Sequence, residues 1–584
     1  MVLRTSVFVQ NERRPIGHRY LAATFTSSHV RSSAHVPSAW SPPIQVTGRR
    51  AEHVESPTGI AGMTAVTVGH DSSRIGTGGV AHAAVGRRCK SHCVTALPTV
   101  PTVPAARRLT DAGRRLIAPR SELPLLDDDG EHTRAVAALL DSYRAIPLGS
   151  RVRLAKRTSN LFRTRSRTEI PGLDVSGLGG VLDVDADNLA ADVAGMCTFE
   201  NLVAATLPYG LAPLVVPQLK TITVGGAAAG GGIESTSFRS GLMHESVLEM
   251  DVLTGGGKIV TAAPDGEHAD LFAGFPNSYG TLGYATRVRV RLEPIQPFVY
   301  LRHLRFDRLE DAQAAIDQIV VAREHDGVAV DYLDGVVFSR SESYLTLGTL
   351  TDEPGPTSDY TGQQVYYRSI QQRHTDRLTI HDYLWRWDTD WFWCSRAFGA
   401  QNPTVRRLWP ARLRRSSFYW KLIALERRFG VGDGIERLHH RPPLERVVQD
   451  IEVPVQRTAD FVGWFMDTIP IEPVWLCPVR VGAKSPGDPT PPWPLYPMPP
   501  EKTYVNVGFW STVPSTPGRP GATNRLIENQ VRDMGGHKSL YSDSFYTANE
   551  FETLYGGPAY RALKDRYDPH TRLPTLYDKA VRRQ

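Results

Sequence analysis

Regular spacing of apolar residues begins near Glu131. The run HTRAVAALLDSYRAI (132–146) repeats its apolar positions at helical intervals and predicts a helix. Val181–Asp185 and Ala191–Met196 read as two strands joined by a turn at Asp185–Asn188. Thr198 stands where it caps a helix over Phe199–Leu207, with Asn201 in the first turn. The stretch LVVPQLKTITVGG (214–226) is rich in β-branched residues and reads as strand. VLEMDVLT (247–254) and KIVTAAP (258–264), separated by Gly255, Gly256 and Gly257, read as a β-hairpin. RVRVRL (287–292) alternates strictly, which predicts a half-buried strand with its arginines on one face.

After Pro294 the texture changes toward Trp, Tyr, Arg and Pro. Leu309–Arg323 has helical spacing, and 330–350 is strand-like. The reading is therefore a second α+β domain from residue 298 to 584, after a first domain over 106–297. Residues 1–105 have neither period. They read as a disordered extension, a transit peptide, or an over-extended reading frame absent from the native protein.

Charge sharpens that division. Residues 1–110 hold 13 basic and 4 acidic side chains, and the other 474 hold 54 and 57. The basic balance thus belongs to the N-terminal segment, and the body is not expected to bind nucleic acid. No apolar run approaches the roughly 18 residues of a membrane-spanning helix. The five cysteines (Cys89, Cys93, Cys197, Cys394 and Cys477) are few and scattered, which suits a reducing compartment. Cys89 and Cys93, with His82 and His92, fall short of a complete zinc pattern, so no metal site is expected.

The segment Thr223-Val224-Gly225-Gly226-Ala227-Ala228-Ala229-Gly230-Gly231-Gly232-Ile233-Glu234-Ser235 carries the chemistry. Glycine costs backbone entropy, so this density requires a reason. Close approach of backbone to a ligand is one, with successive N–H groups forming an anion-binding concavity; a flexible loop is the other. No Gly-Lys-Ser/Thr follows, which excludes a Walker A loop, and the Rossmann register is absent.

The string TVGGAAAGGGIESTSFRSGLMHE (223–245), followed by VLEMDVLTGGGKIVT, DLFAGFPNSYGTLG (270–283) and RVRVRLEP, resembles the PCMH-type FAD-binding domain of the vanillyl-alcohol-oxidase superfamily. Within it, VVQDIEVPVQ (447–456), PVWLCPV (473–479), SLYSDSFYTANEFETLYGG (539–557) and PTLYDKAV (574–581) resemble the Δ24-sterol reductase branch. The resemblance implies an α+β fold, a two-subdomain FAD-binding domain followed by an α+β substrate or cap domain. It implies non-covalent FAD held by Thr223–Ser235 and by Gly280-Thr281-Leu282-Gly283, with NADPH or NADH as electron donor. Many relatives attach flavin through a histidine in the loop that corresponds to Arg157–Arg163, and here that loop has neither His nor Cys. Lys156, Arg157 and Arg163 either pair with phosphate or are solvated.

The implied reaction is reduction of an isolated C=C in a sterol-like or isoprenoid side chain. Hydride does not add to an unpolarised alkene, so a proton donor is required. The candidates are Tyr541, Asp543, Tyr546 and Asp450, with Glu452 beside the last. Glu234 and His244 flank the glycines and are expected to orient the cofactor or serve the core. Two other functions stay open: an oxidase or dehydrogenase of an alcohol or hydroxy acid, and a non-catalytic flavin- or lipid-binding protein. The expected partner is a small lipid. The Trp-, Phe- and Arg-dense stretch 385–441 is either a membrane-contacting surface or a cap core, and the expected location is cytoplasmic or membrane-peripheral.

Overall fold

A computed structural model describes residues 130–156, 162–164, 170–429, 442–484 and 487–583. The readings of 1–105, of Arg157 and of 430–441 lie outside the described residues. Helix α1 (Glu131–Ala145) buries Leu139 and Tyr143, and the Tyr143 hydroxyl donates to the Gly255 carbonyl at 2.6 Å. It thereby fastens the first described element to the tip of the glycine hairpin.

Six antiparallel strands form the first sheet: β1 (Val181–Asp185), β2 (Ala190–Ala194), β3 (Leu211–Pro213), β4 (Val247–Thr254), β5 (Ile259–Ala262) and β6 (Gly283–Pro294). The order is β1-β2-β6-β4-β5, with β3 also on β6. The alternation in β6 is realised as two faces. Val288 and Val290 are buried, while Arg287 pairs with Asp192, Glu249 and Asp251, and Arg289 with Asp192 and Asp185. Arginines and carboxylates from adjacent strands thus neutralise one another across the sheet.

Thr198 caps α2 (Phe199–Thr206) by accepting from the Asn201 amide at 3.2 Å. The strand expected over 214–226 does not form. Pairing stops at Pro213, and Pro217 brings no N–H to a ladder. Instead the glycine segment begins with a two-turn helix, α3 (Val224–Gly230). Thr223 caps it by accepting from the Gly226 amide, Ala227–Ala229 favour it, and Gly231 ends it at φ 73°. A Cβ on Gly225 would come within 2.6 Å of the Gly195 carbonyl, so this glycine lets α3 lie directly on the sheet.

The second sheet has eight antiparallel strands: β7 (Phe298–Phe306), β8 (Tyr332–Ser339), β9 (Glu342–Thr351), β10 (Thr375–Thr379), β11 (Leu444–Pro454), β12 (Val474–Arg480), β13 (Thr503–Pro514) and β14 (His537–Lys538). Its order is β10-β7-β9-β8-β12-β13-β11-β14. Alternate residues of β8 enter different cores. Leu333 and Val337 meet helices α4 (Leu309–Ala322) and α5 (Thr458–Thr468), whereas Tyr332 and Val336 face the aromatic cap.

That cap holds Trp385, Trp387, Trp391, Phe392 and Trp393, all buried. The aromatic string is therefore core. The exposed apolar residues in this stretch are Leu408, Leu425 and Phe429. After β14 the chain returns to the first sheet. The Lys564 ammonium donates to the Thr281 carbonyl at 2.7 Å, and Arg572 donates to the Ile146 carbonyl at 2.9 Å while covering the Tyr143 ring. No periodicity announced that return.

Candidate functional site

The C-terminal end of α3 opens onto a small cleft lined by Gly230, Gly231, Ile233, Leu242, His244, Asn277, Glu452, Tyr496 and Ser539. The three glycines there have different duties. A Cβ on Gly230 would press on the Tyr279 ring, and one on Gly232 on Pro217 and Met243. One on Gly231 would meet nothing within 4 Å, so its backbone faces open space.

A left-handed turn braces this wall. Asn277, Tyr279 and Gly280 have φ of 61°, 51° and 72°, and the Tyr279 amide donates to the Ala229 carbonyl at 2.9 Å. Two non-glycine residues in that region are a local cost held in place by surrounding bonds, including Asn277 Nδ2 to the Leu495 carbonyl at 2.7 Å. Gly280, Thr281, Leu282 and Gly283 follow as the root of β6, with Gly283 packed under the Leu253 carbonyl. Asn277 is the member of this turn that lines the cleft.

Glu234 and Ser235 leave the cleft for a buried cluster. Arg386 donates to Glu234 at 2.7 Å and to Asp334 at 2.9 Å, while Trp387 and Trp475 each donate to Asp334 at 3.2 Å. The Ser235 hydroxyl lies 3.0 Å from that of Tyr383. One guanidinium faces two carboxylates. Burial therefore raises the Glu234 pKa against the pull of Arg386, and the charge of Asp334 pushes the same way.

The opposite chemistry comes from β11. Asp450 and Glu452 share a face because strand side chains alternate. Burial raises Glu452 to about 8, against the hydrogen bond from Tyr496 and helped by Asp450. Burial likewise raises Asp450 to about 7; Asn506 donates to it at 3.3 Å and Gly508 across the ladder leaves it room. The Tyr541 hydroxyl accepts from Trp510 at 3.0 Å and lies beside Asp450.

The other candidates stand elsewhere. Asp543 accepts from the Thr164 amide and hydroxyl at 2.7 and 2.9 Å, near Arg446 and Arg583. Tyr546 is buried in an aromatic cluster with Phe551 and Tyr555. Neither lines the cleft, and of the acidic candidates only Glu452 does. Tyr496 and Ser539 were not singled out in the sequence. Tyr496 lies in a Pro-rich loop without a period, and the usable signal was its aromatic ring among prolines.

The cleft suits a flavin on its own features: a bare glycine backbone over open space, flanked by buried polar groups still to be matched. Among those are both ring nitrogens of His244. Residues 133–263 match the FAD binding domain family. The class is thereby defined: the chain is an FAD-dependent oxidoreductase with a PCMH-type FAD-binding domain.

Over 414 residues it is 25% identical to the Delta(24)-sterol reductase of Mus musculus, covering 68% of this chain and 75% of that protein. The Delta(24)-sterol reductase of Arabidopsis thaliana is 25% identical over 337 residues, 53% of this chain and 56% of the plant protein. Cytokinin dehydrogenase 10 of Oryza sativa subsp. japonica is 28% identical over 222 residues, 35% of this chain and 40% of the rice protein.

Proposed function

We propose that this chain reduces an isolated C=C in a sterol-like or isoprenoid lipid side chain, with NADPH or NADH as electron donor. The observation that carries this reading is the presence of Gly231 and Glu452 on one cleft, a cofactor cradle and a protonated acid. Bound FAD supplies the hydride. Gly230, Gly231 and Ile233 of the segment Thr223–Ser235 are assigned to hold it, with Gly280–Gly283 at the root of β6. Glu452 is assigned to protonate the alkene carbon whose protonation leaves a tertiary cation. Tyr496 donates to its Oε2 and the Ser539 hydroxyl stands 3.5 Å from its Oε1, and the two hold the carboxyl in position. Asp450 supports it from the same strand face and Tyr541 through Asp450, and Asp543 and Tyr546 are assigned to holding the fold. The working division is an FAD domain over 106–297 and a substrate domain over 298–584, joined between β6 and β7.

A long lipid also has to reach the cleft. Leu408, Leu425 and Phe429 stand exposed in the same stretch of chain as exposed Arg407, Arg412 and Lys421. That pairing of apolar and basic groups fits contact with an anionic lipid surface. Among the described residues no helix is long and apolar enough to cross a membrane.

The test is anaerobic mixing of the purified flavoprotein with NADPH, followed by a Δ24-unsaturated sterol. Bleaching by NADPH and recolouring by the sterol support the reductase. Bleaching by an alcohol or hydroxy acid alone supports the dehydrogenase. Gly231→Asp puts bulk and negative charge into the cradle and is expected to abolish flavin content. A flavin-replete variant contradicts the placement.

A further inference from the structure

His244 lies on a turn (Met243–Ser246) that the Met243 amide pins to the Gly232 carbonyl at 2.8 Å. Its ring packs edge-on against Trp493 at 4.5 Å and lines the cleft beside Gly230 and Gly231. The residue is 2% exposed, and neither ring nitrogen has a hydrogen-bonding partner. Such a group costs stability in the empty protein, so it makes sense as half of a contact that a ligand completes.

Among the described residues the cleft lining contains no lysine or arginine, and Arg163 lies over the ring of Tyr279, which backs Gly230, 4.6 Å from its centroid. Burial pushes the His244 pKa down to about 3, so the imidazole stays neutral, offering one donor and one acceptor. A pyrophosphate calls for cations or converging backbone N–H groups, whereas a neutral imidazole with one donor and one acceptor matches the riboflavin half of FAD, an uncharged array of carbonyls, ring N–H and hydroxyls. We infer that His244 is a direct hydrogen-bonding partner of the riboflavin portion of FAD, and that this cleft receives that portion rather than the pyrophosphate. The inference rests on the FAD reading above.

The experiment uses the full chain stripped of flavin, titrated with FAD, riboflavin and ADP, and melted without ligand. His244→Phe is expected to weaken FAD and riboflavin by the same factor, about tenfold or more, and to leave ADP unchanged. Its flavin-free melting temperature should equal or exceed that of the parent, because the unmatched polar atoms are gone. His244→Gln, which keeps a donor and an acceptor, should restore most of the affinity. Unchanged riboflavin binding in His244→Phe overturns the inference. So does a flavin-free variant that melts several degrees lower or fails to fold, since that marks a structural role. A parent chain that takes up no flavin overturns the FAD reading as well, and is distinguishable from a flavin-binding parent with an indifferent variant.

Discussion

Glu234 and Glu452 are buried glutamates on two sides of the same glycine segment, and their surroundings differ. Glu234 is tied to Arg386, which also binds Asp334, and two tryptophans and a tyrosine close the cluster. Glu452 has a phenol, a serine and a second carboxyl for neighbours, no ion pair among the described residues, and a cleft before it. A carboxyl locked to a fixed cation holds elements together; one kept protonated by burial is available for proton transfer. The same side chain thus acts as a clamp on one side and as an acid on the other. The clamp joins the glycine segment, the cap and β8, and so holds the wall that faces Glu452.

The largest effect should come from breaking the clamp. Arg386→Met leaves two carboxyls buried without their cation and is expected to cost about 3–5 kcal/mol in denaturant unfolding. The pH dependence follows from the sign of the shift. Glu234, whose folded pKa burial raises, contributes stability that is present at acid pH and lost as pH rises through the folded value. The Arg386→Met defect should therefore shrink toward acid pH. Adding Glu234→Gln and Asp334→Asn should recover much of the loss. A defect independent of pH would mean that Arg386 acts through packing alone.

A smaller effect is expected from Asp450→Asn. Its charge helps to raise Glu452, so the variant should move the alkaline limb of the activity profile to lower pH, by up to about one unit. An unmoved limb would separate the two carboxyls. The smallest effect belongs to Asp543→Asn, which weakens the bonds to Thr164 at a cost of about 1 kcal/mol and leaves activity and its pH profile in place. A lost activity there would move the acid away from Glu452.

Much of this arrangement was legible in the chain. The alternation of Arg287 and Arg289 with valines, the Thr198 cap and the Gly255–Gly257 hairpin are local patterns, and local patterns survive folding. The glycine run did not read as a helix, and it forms one because three alanines and the Thr223 cap outweigh what its glycines cost. The aromatic string 385–393 has no period of its own, so its burial depended on a sheet formed far away in sequence. Asp450 and Glu452 could be placed on one face of a strand opposite Val447, Ile451 and Val453. That Glu452 faces the glycines, and that Tyr496 and Ser539 meet it there, depends on contacts more than 40 residues apart.

The most direct test is single-turnover reoxidation of the reduced flavoprotein by a lipid alkene, followed against pH in the parent and in Glu452→Gln. The account predicts a parent rate that falls above about pH 8, where Glu452 loses its proton. It predicts a variant that binds flavin and accepts hydride from NADPH yet reoxidises ~10²–10⁴-fold more slowly at every pH. A variant that reoxidises at the parent rate, with the same fall above pH 8, would contradict it.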